Sequence, residues 1–354
     1  GINLGENNIG NNGGYNFGSS NSANYGSINI GKKNTGYEGG YNFGISNSSN
    51  QGSINIGENN TATTASYNIG RYNNTINGYT FGNNNSTNMG FSIGQYNSAI
   101  DAGYAFGDNN TASNASYSIG KRNNAIIGSF VFGDTNKATN GGFIFGRYNN
   151  SFDGFIFGEY LSAYNCFIAI GNYTTVFYGS IAIGARNYAN NGSFILGNTN
   201  TATKGTTIIG DDNTATYTDI IGNRNKINPN ILNYSTLSNE KYIKDTTTNE
   251  IVQIKNFVAG LDNSADYAKN AYILGNKNEI ISNSADYING DNDGYTFIYG
   301  WHNSANRNYD MAIGYKALAS GGENIAIGTP QKINSTSTAT LETKAIGYKN
   351  LAIR

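Results

Sequence analysis

From Gly5 to Gly222 the chain repeats one short pattern: an apolar residue, any residue, an apolar residue, then glycine. The residue before each anchor glycine is Leu, Ile or Phe in all eighteen copies, and the residue three before it is usually Ile, Phe or Tyr. S-I-A-I-G at Ser180–Gly184 is one such copy. All seventeen spacings between anchors are 12 or 13 residues. A period this short is too small for a helical hairpin or a propeller blade, and suits one turn of a β-solenoid with two short strands. Residues two apart on a strand share a face. The pattern therefore predicts that the apolar pair fills the coil interior, with Phe17, Ile30, Phe43 and Ile56 alternating in size along it.

The anchor is always glycine, as expected of a corner that needs positive φ or a close backbone approach. Three residues later Asn occurs in sixteen of eighteen coils. Asn suits turns, and stacked copies predict an amide ladder. Five residues after the anchor a small residue is common, as at Ala99, Ala112, Ala125 and Ala138, which predicts a second strand packed against the first. Low-complexity disorder would not hold an apolar pair in register over this length.

The residue two before each anchor then points outward on this reading. It is Asn3, Asn16, Asn29, Asn42, Asn55 and Asn68, then Thr80, Ser92, Ala105 and Ser118. It turns apolar at Val131, Ile144, Ile156, Ala169, Ala182, Ile195, Ile208 and Ile220. An outward apolar stripe marks an interface. The expectation is that these residues form a seam between copies of the chain, with the early Asn face either wetter or an amide ladder at the same seam.

Residues 223–259 break the period. They hold Pro229 and read as two strands across a T-T-T-N turn, a β-hairpin inserted into the roll. The period resumes with anchors near Gly260, Gly275, Gly300, Gly314 and Gly328. The organisation expected is a β-roll over 1–222, the insert over 223–259, and a second run of coils over 260–354.

Composition narrows the function classes. With 22 basic and 23 acidic side chains, neither nucleic acid nor an anionic membrane is a favoured partner. A single cysteine, Cys166, leaves no intrachain disulfide and no cysteine metal site, and reads as a small buried residue. No run of about twenty apolar residues and no basic-then-apolar leader occurs, so the stretch reads as a soluble region without membrane insertion, excised from its export signal and anchor. Charges follow the anchors with a sign that tends to alternate: Asp108, then Lys121 and Arg122, then Asp134, Arg147 and Glu159. Opposite charges on neighbouring coils set register; a binding role is the other reading.

S-I-A-I-G at 180–184, and M-A-I-G-Y-K-A-L-A-S-G-G-E-N-I-A-I-G at Met311–Gly328, resemble the head repeats of trimeric autotransporter adhesins, the YadA-like heads. E-I-V-Q-I-K-N-F-V-A-G at Glu250–Gly260 is similar to a segment that family uses in necks and head inserts. The resemblance implies an all-β, left-handed parallel β-roll of 12–14-residue coils, three chains side by side as a homotrimer, on a bacterial outer-membrane surface and binding a host cell-surface protein. The Asn- and Tyr-rich style resembles adhesins that grip immunoglobulin-like receptors, such as the carcinoembryonic-antigen-related cell adhesion molecules. The chain departs from the family in its mostly 12- and 13-residue coils, its use of Asn for Ala or Ser, and its lack of a heptad stalk.

Catalytic constellations are sparse. Acids stand singly, with Asp211–Asp212 the one adjacent pair in the array, and His302 is the only histidine, which leaves no multi-histidine metal site and no serine–histidine pair elsewhere. No enzyme activity, metal or cofactor is expected. Trp301 and His302 follow an anchor and should be exposed, as a corner or as a contact patch. T-x-T triplets, the mark of ice-binding solenoids, occur at Thr61–Thr63, Thr201–Thr203 and Thr214–Thr216 but not in most coils. A passive fibre segment, of a cell surface or a phage, is the remaining alternative. The strongest local anomaly lies at 146–190, where Leu161 and Thr174 replace the third-position Asn and two columns become aromatic: Tyr148, Tyr160 and Tyr173, and Phe152, Tyr164 and Phe177. Tyr178 and Tyr188 extend it. Aromatics on a rigid platform make protein-recognition anchors, or one column packs inward. The insert, with Tyr242, Ile243, Ile251 and Ile254, is the second candidate.

Overall fold

The computed structural model describes residues 1–228 without a break, and beyond them 234–236, 242–245, 251–253, 256–266, 271–281, 296–305, 310–320, 323–328, 331–332, 340–341, 343–346 and 351–353. The chain is an all-β parallel solenoid of about 21 coils of roughly 13 residues, with no helix among the described residues. It divides into two compact units, Gly1–Ala163 and Tyr164–Arg354.

Each coil contributes two strands. The anchor strand, such as Tyr15–Ser19 or Ile181–Ala185, carries the anchor glycine; the shorter return strand, such as Ser98–Ile100 or Thr201–Thr203, follows the corner. Anchor strands pair in parallel, glycine on glycine, for example Gly18 with Gly31 and Gly57 with Gly70. In the second unit Gly222 pairs with Gly260, and Gly260, Gly275, Gly300, Gly314 and Gly328 continue in register, which bears out the later anchors. Between Gly222 and Gly260 three short antiparallel strands are described, Tyr234–Thr236, Tyr242–Asp245 and Ile251–Gln253. Ile254 lies outside the described residues.

The anchors must be glycine for both expected reasons. Gly57 has φ of 129°, and a Cβ placed there would stand 1.9 Å from the carbonyl oxygen of Gly70 on the next coil. The third-position amides use that close approach. Asn34 Nδ2 donates to Gly44 O at 2.8 Å, and Asn34 Oδ1 accepts from Asn47 N at 3.0 Å. Each Asn thus fastens its own coil to the following one by two hydrogen bonds. The expected ladder exists, with the backbone as its main partner.

The alternation of inside and outside is the reverse of the sequence expectation. The residue two before each anchor faces the interior: Asn16, Asn29, Asn42, Asn55 and Asn68 are fully buried, as are Val131, Ile144 and Ile156 of the first unit and Ala169, Ala182, Ile195, Ile208 and Ile220 of the second. These residues form no seam between copies; they are the core, packed on the small return-strand residues such as Ala62, Ala99 and Ala138. The apolar pair lies outside instead, and Phe17, Ile30, Phe43 and Ile56 are exposed. The reason is thickness. Two large side chains on one inner face need sheets about 10 Å apart across a well-filled layer, whereas here one inward residue of each anchor strand faces a return-strand residue that is mostly small, such as Ala62, Ala99 or Ser151.

A buried amide is tolerated only when its hydrogen bonds are made. Here Asn29 Nδ2 donates to Asn16 Oδ1 at 3.0 Å and to Ser22 O at 2.7 Å, and Asn42 repeats the pair onto Asn29 and Thr35. The column runs from Asn3 to Asn68. Its last carbonyl, Asn68 Oδ1, accepts from the Thr75 hydroxyl, and Thr75, Thr80, Thr87 and Ser92 continue as hydroxyls 2.6–2.8 Å apart. Beyond this relay the inward position of the anchor strands holds Ala105 and Ser118 and then turns apolar at Val131, Ile144 and Ile156.

Candidate functional site

The exposed face of the anchor sheet is the widest chemical feature of the first unit. Its two columns are the paired apolar residues, and eighteen of them, from Ile2 and Leu4 to Phe155 and Phe157, are 37–56 % exposed. Large apolar side chains carry 150–250 Å² each when aromatic, so this face leaves on the order of 1,500 Å² open, several times the largest patch of an ordinary soluble monomer. The rings are ordered by the strand register. Tyr67 stacks on Tyr79 at 5.1 Å and 4°, Tyr104 on Tyr117 at 4.6 Å and 4°, and Phe132 on Phe145 at 4.8 Å and 8°. Sequence reading missed this face by sending its residues inward. The signal that could have found it is tyrosine: six of the outer positions are Tyr15, Tyr41, Tyr67, Tyr79, Tyr104 and Tyr117, and a buried phenol would need a partner in every coil.

The anomaly at 146–190 falls across the two units. In the first, Tyr148 and Tyr160 occupy the corner column at φ of 57° and 54°, are exposed, and stack at 4.9 Å and 10°. The Arg147 guanidinium stands 5.6 Å from the Tyr148 ring centre. Phe152 is half-buried. Leu161 is 2 % exposed, so it belongs to the core and to no binding surface; it sits where Asn packs in other coils, and its side chain replaces polar staples with apolar contact. In the second unit Tyr164, Tyr173, Tyr178 and Tyr188 are exposed and Phe177 is half-buried. Tyr164 meets Tyr178 edge-on at 5.9 Å, and Phe177 meets Tyr188 at 6.0 Å. Thr174 is fully buried and reproduces both bonds of the Asn it replaces: its hydroxyl donates to Gly184 O and accepts from Asn187 N.

Charges run along the corners as the alternation predicts. Arg122 pairs with Asp134 at 3.4 Å and Arg147 with Glu159 at 3.0 Å in the first unit; Arg224 holds Asp262 through two N–H groups in the second. The Thr135 hydroxyl, and then Arg122, hold the Asp134 carboxyl below its usual pKa; Arg224 does the same to Asp262; Glu159 raises Arg147. Burial pushes the Tyr217 phenol up to about 12. Cys166 is buried, as expected.

Trp301 and Tyr315 occupy one corner of the second unit, on neighbouring coils paired Asn276 to Trp301 to Tyr315. Trp301 is 48 % exposed, and its ring meets Tyr315 at 5.7 Å and 89°. Among the described residues no group of three or more His, Cys, Asp or Glu could hold a metal ion. The strand positions Tyr242, Ile243 and Ile251 lie on the short antiparallel strands. No family model matches the chain, and neither does any curated protein.

Proposed function

We propose that this chain is the head of a bacterial surface adhesin, which self-associates through the exposed face of the anchor sheet and grips a host cell-surface protein with tyrosines of its corners. The observation that carries the reading is that wide aromatic face. A stable interface takes roughly 800 Å² from each partner, so the open area of the first unit alone suffices to bury against further copies. A homotrimer, as in the adhesin heads the repeats resemble, gives each copy two neighbours. The assembly seam then lies one residue along from the stripe that the sequence suggested, at positions such as Tyr104, Tyr117, Phe132 and Phe145.

The same lattice makes a stiff support for recognition. Tyr148 and Tyr160 are held by the backbone ladder and by each other, so little side-chain freedom remains to be lost on binding. Their work is binding rather than catalysis, at the end of a bacterial outer-membrane protein, with an immunoglobulin-like receptor such as the carcinoembryonic-antigen-related cell adhesion molecules as the partner class. The test is attachment of the purified chain to host cells. A Tyr148→Ser, Tyr160→Ser double variant keeps a residue that the same column holds at Ser20 and Ser46. It is expected to bind about thirtyfold more weakly, as loss of an interface hot spot does. Undiminished attachment would remove the tyrosine column from the reading, and no attachment by the parent chain would make it a passive fibre.

A further inference from the structure

On the outer face of its return strands the first unit alternates coil by coil. The last return-strand position holds Ile76, Ile100, Ile126 and Phe152 on every second coil, and Asn88, Ser113 and Thr139 on the coils between, all in strand register. The corner column at positive φ keeps the same beat, with Tyr72, Tyr96, Arg122 and Tyr148 on the first set and Asn84, Asn109 and Thr135 on the second. Tyr72, Ile76 and Tyr96 are 54 %, 44 % and 57 % exposed. The face is therefore ridged, with one ridge about every 10 Å at the usual strand spacing. The interior does not set this beat, because the inward residues Ala99, Ala112, Ala125 and Ala138 are alike from coil to coil. Crowding does not set it either, since the anchor sheet carries large rings on successive coils, Tyr104 on Tyr117 at 4.6 Å.

Ridged faces close on each other only where ridge meets groove. A two-fold axis along the solenoid lays each coil on its own copy, ridge on ridge. An axis along the strands, passing between Ser98–Ile100 and Thr111–Ser113, reverses the second copy and lays every ridge in a groove. Tyr96 then meets Asn109 of the second copy and Ile100 meets Ser113. Further out Arg122 meets Asn84, Ile126 meets Asn88, and Tyr72 meets Thr135. Lys137, the one long side chain between the two columns, meets Asn74. The charges beside the corner agree with this offset. Arg71 comes opposite Asp134, and Glu58 opposite Arg147, at the rim. Asp134 and Arg147 keep Arg122 and Glu159 of their own chain as partners, so the rim charges select the offset more than they supply affinity.

We propose that the return face of the first unit, from Asn59 to Phe152, docks antiparallel on the same face of a second copy, with the two-fold axis between Ile100 and Asp108. The contact is separate from the anchor face and rests on neither the seam nor the receptor reading. It spans about 40 Å by 13 Å, roughly 500 Å² a side, below the roughly 800 Å² of a stable interface. Pairing therefore belongs to concentrations well above those at which the anchor face assembles. The full chain is centrifuged to equilibrium over a rising concentration series. Whatever assembly is present in dilute solution, its mass is expected to grow as concentration rises. Asn109→Tyr with Ser113→Ile turns the central groove into a ridge, using side chains that the same columns hold at Tyr96 and Ile100. This variant is expected to keep its β-sheet dichroism and to associate about tenfold more weakly, although its surface is more apolar. Adding Tyr96→Asn with Ile100→Ser exchanges ridge and groove and is expected to restore the association of the parent. The proposal is overturned by a mass that does not grow with concentration, by a filled groove that leaves association unchanged or strengthens it, or by an exchange that does not restore it.

Discussion

A buried asparagine is worth its place only while every hydrogen bond it needs is made. In this roll the same residue type does two jobs. The third-position Asn closes a corner and fastens it to the next, and the interior Asn of the first coils stacks on its own copies. The interior column also shows where this arrangement fails. Ser118 is fully buried between the relay of hydroxyls and the apolar run that begins at Val131, and its Oγ has no hydrogen-bond partner. An unsatisfied buried hydroxyl costs about 1–3 kcal/mol. Ser118→Ala is therefore expected to stabilise the protein by about 1 kcal/mol, read as a higher midpoint in denaturant with an unchanged slope. Replacing a partnered residue of the relay, such as Thr80, by Ala should do the opposite, since it leaves Thr75 and Thr87 short of a neighbour.

At the scale of the coil, two kinds of positive-φ glycine are distinguishable. Gly57 lies against the next coil's backbone, whereas Gly52 has φ of 72° and nothing within 4 Å of where a methyl group would stand. Gly52→Ala should lose only the left-handed strain, about 1–2 kcal/mol. Gly57→Ala forces neighbouring strands apart and should cost more than about 4 kcal/mol, the range of backbone clashes in a packed interior. Thermal melting of the two variants separates them, and equal losses would mean that conformation alone selects the anchors. The period, the glycine corner, the amide ladder and the charge alternation were all legible in the sequence, because each follows from one residue type recurring at one spacing. Which strand face turned inward was not. Period-two alternation divides residues into two sets without saying which set is inside, and hydrophobicity chose the larger set. The satisfied amides and the narrow lumen, visible only when the strands are paired, decide the other way. Leu161 and the stripe from Val131 to Ile220 moved from surface to core for that reason, while Tyr148, Tyr160, Tyr173 and Trp301 stayed outside because a corner residue has no interior to enter.

For the whole molecule, the inversion changes which residues are open to a further copy. Had the apolar pair been the core, the chain would present an early polar face and a late aliphatic stripe. Instead the first unit presents exposed Tyr, Phe and Ile on its outer face, with rings packed coil on coil from Tyr67 to Phe157, over an interior that is polar in its early coils and aliphatic later. Such a lattice keeps its shape through backbone ladders and amides, and leaves large apolar side chains on its outer face. The measurement that bears most directly on this is the mass of the chain in solution, by sedimentation, for the parent and for Tyr104→Lys with Phe132→Lys. Three chains are expected for the parent, and single chains that keep their β-sheet dichroism for the double variant, because the two lysines stand on the outer face and disturb no core contact. A parent chain that sediments alone, or a double variant that assembles unchanged, would contradict assembly through this face.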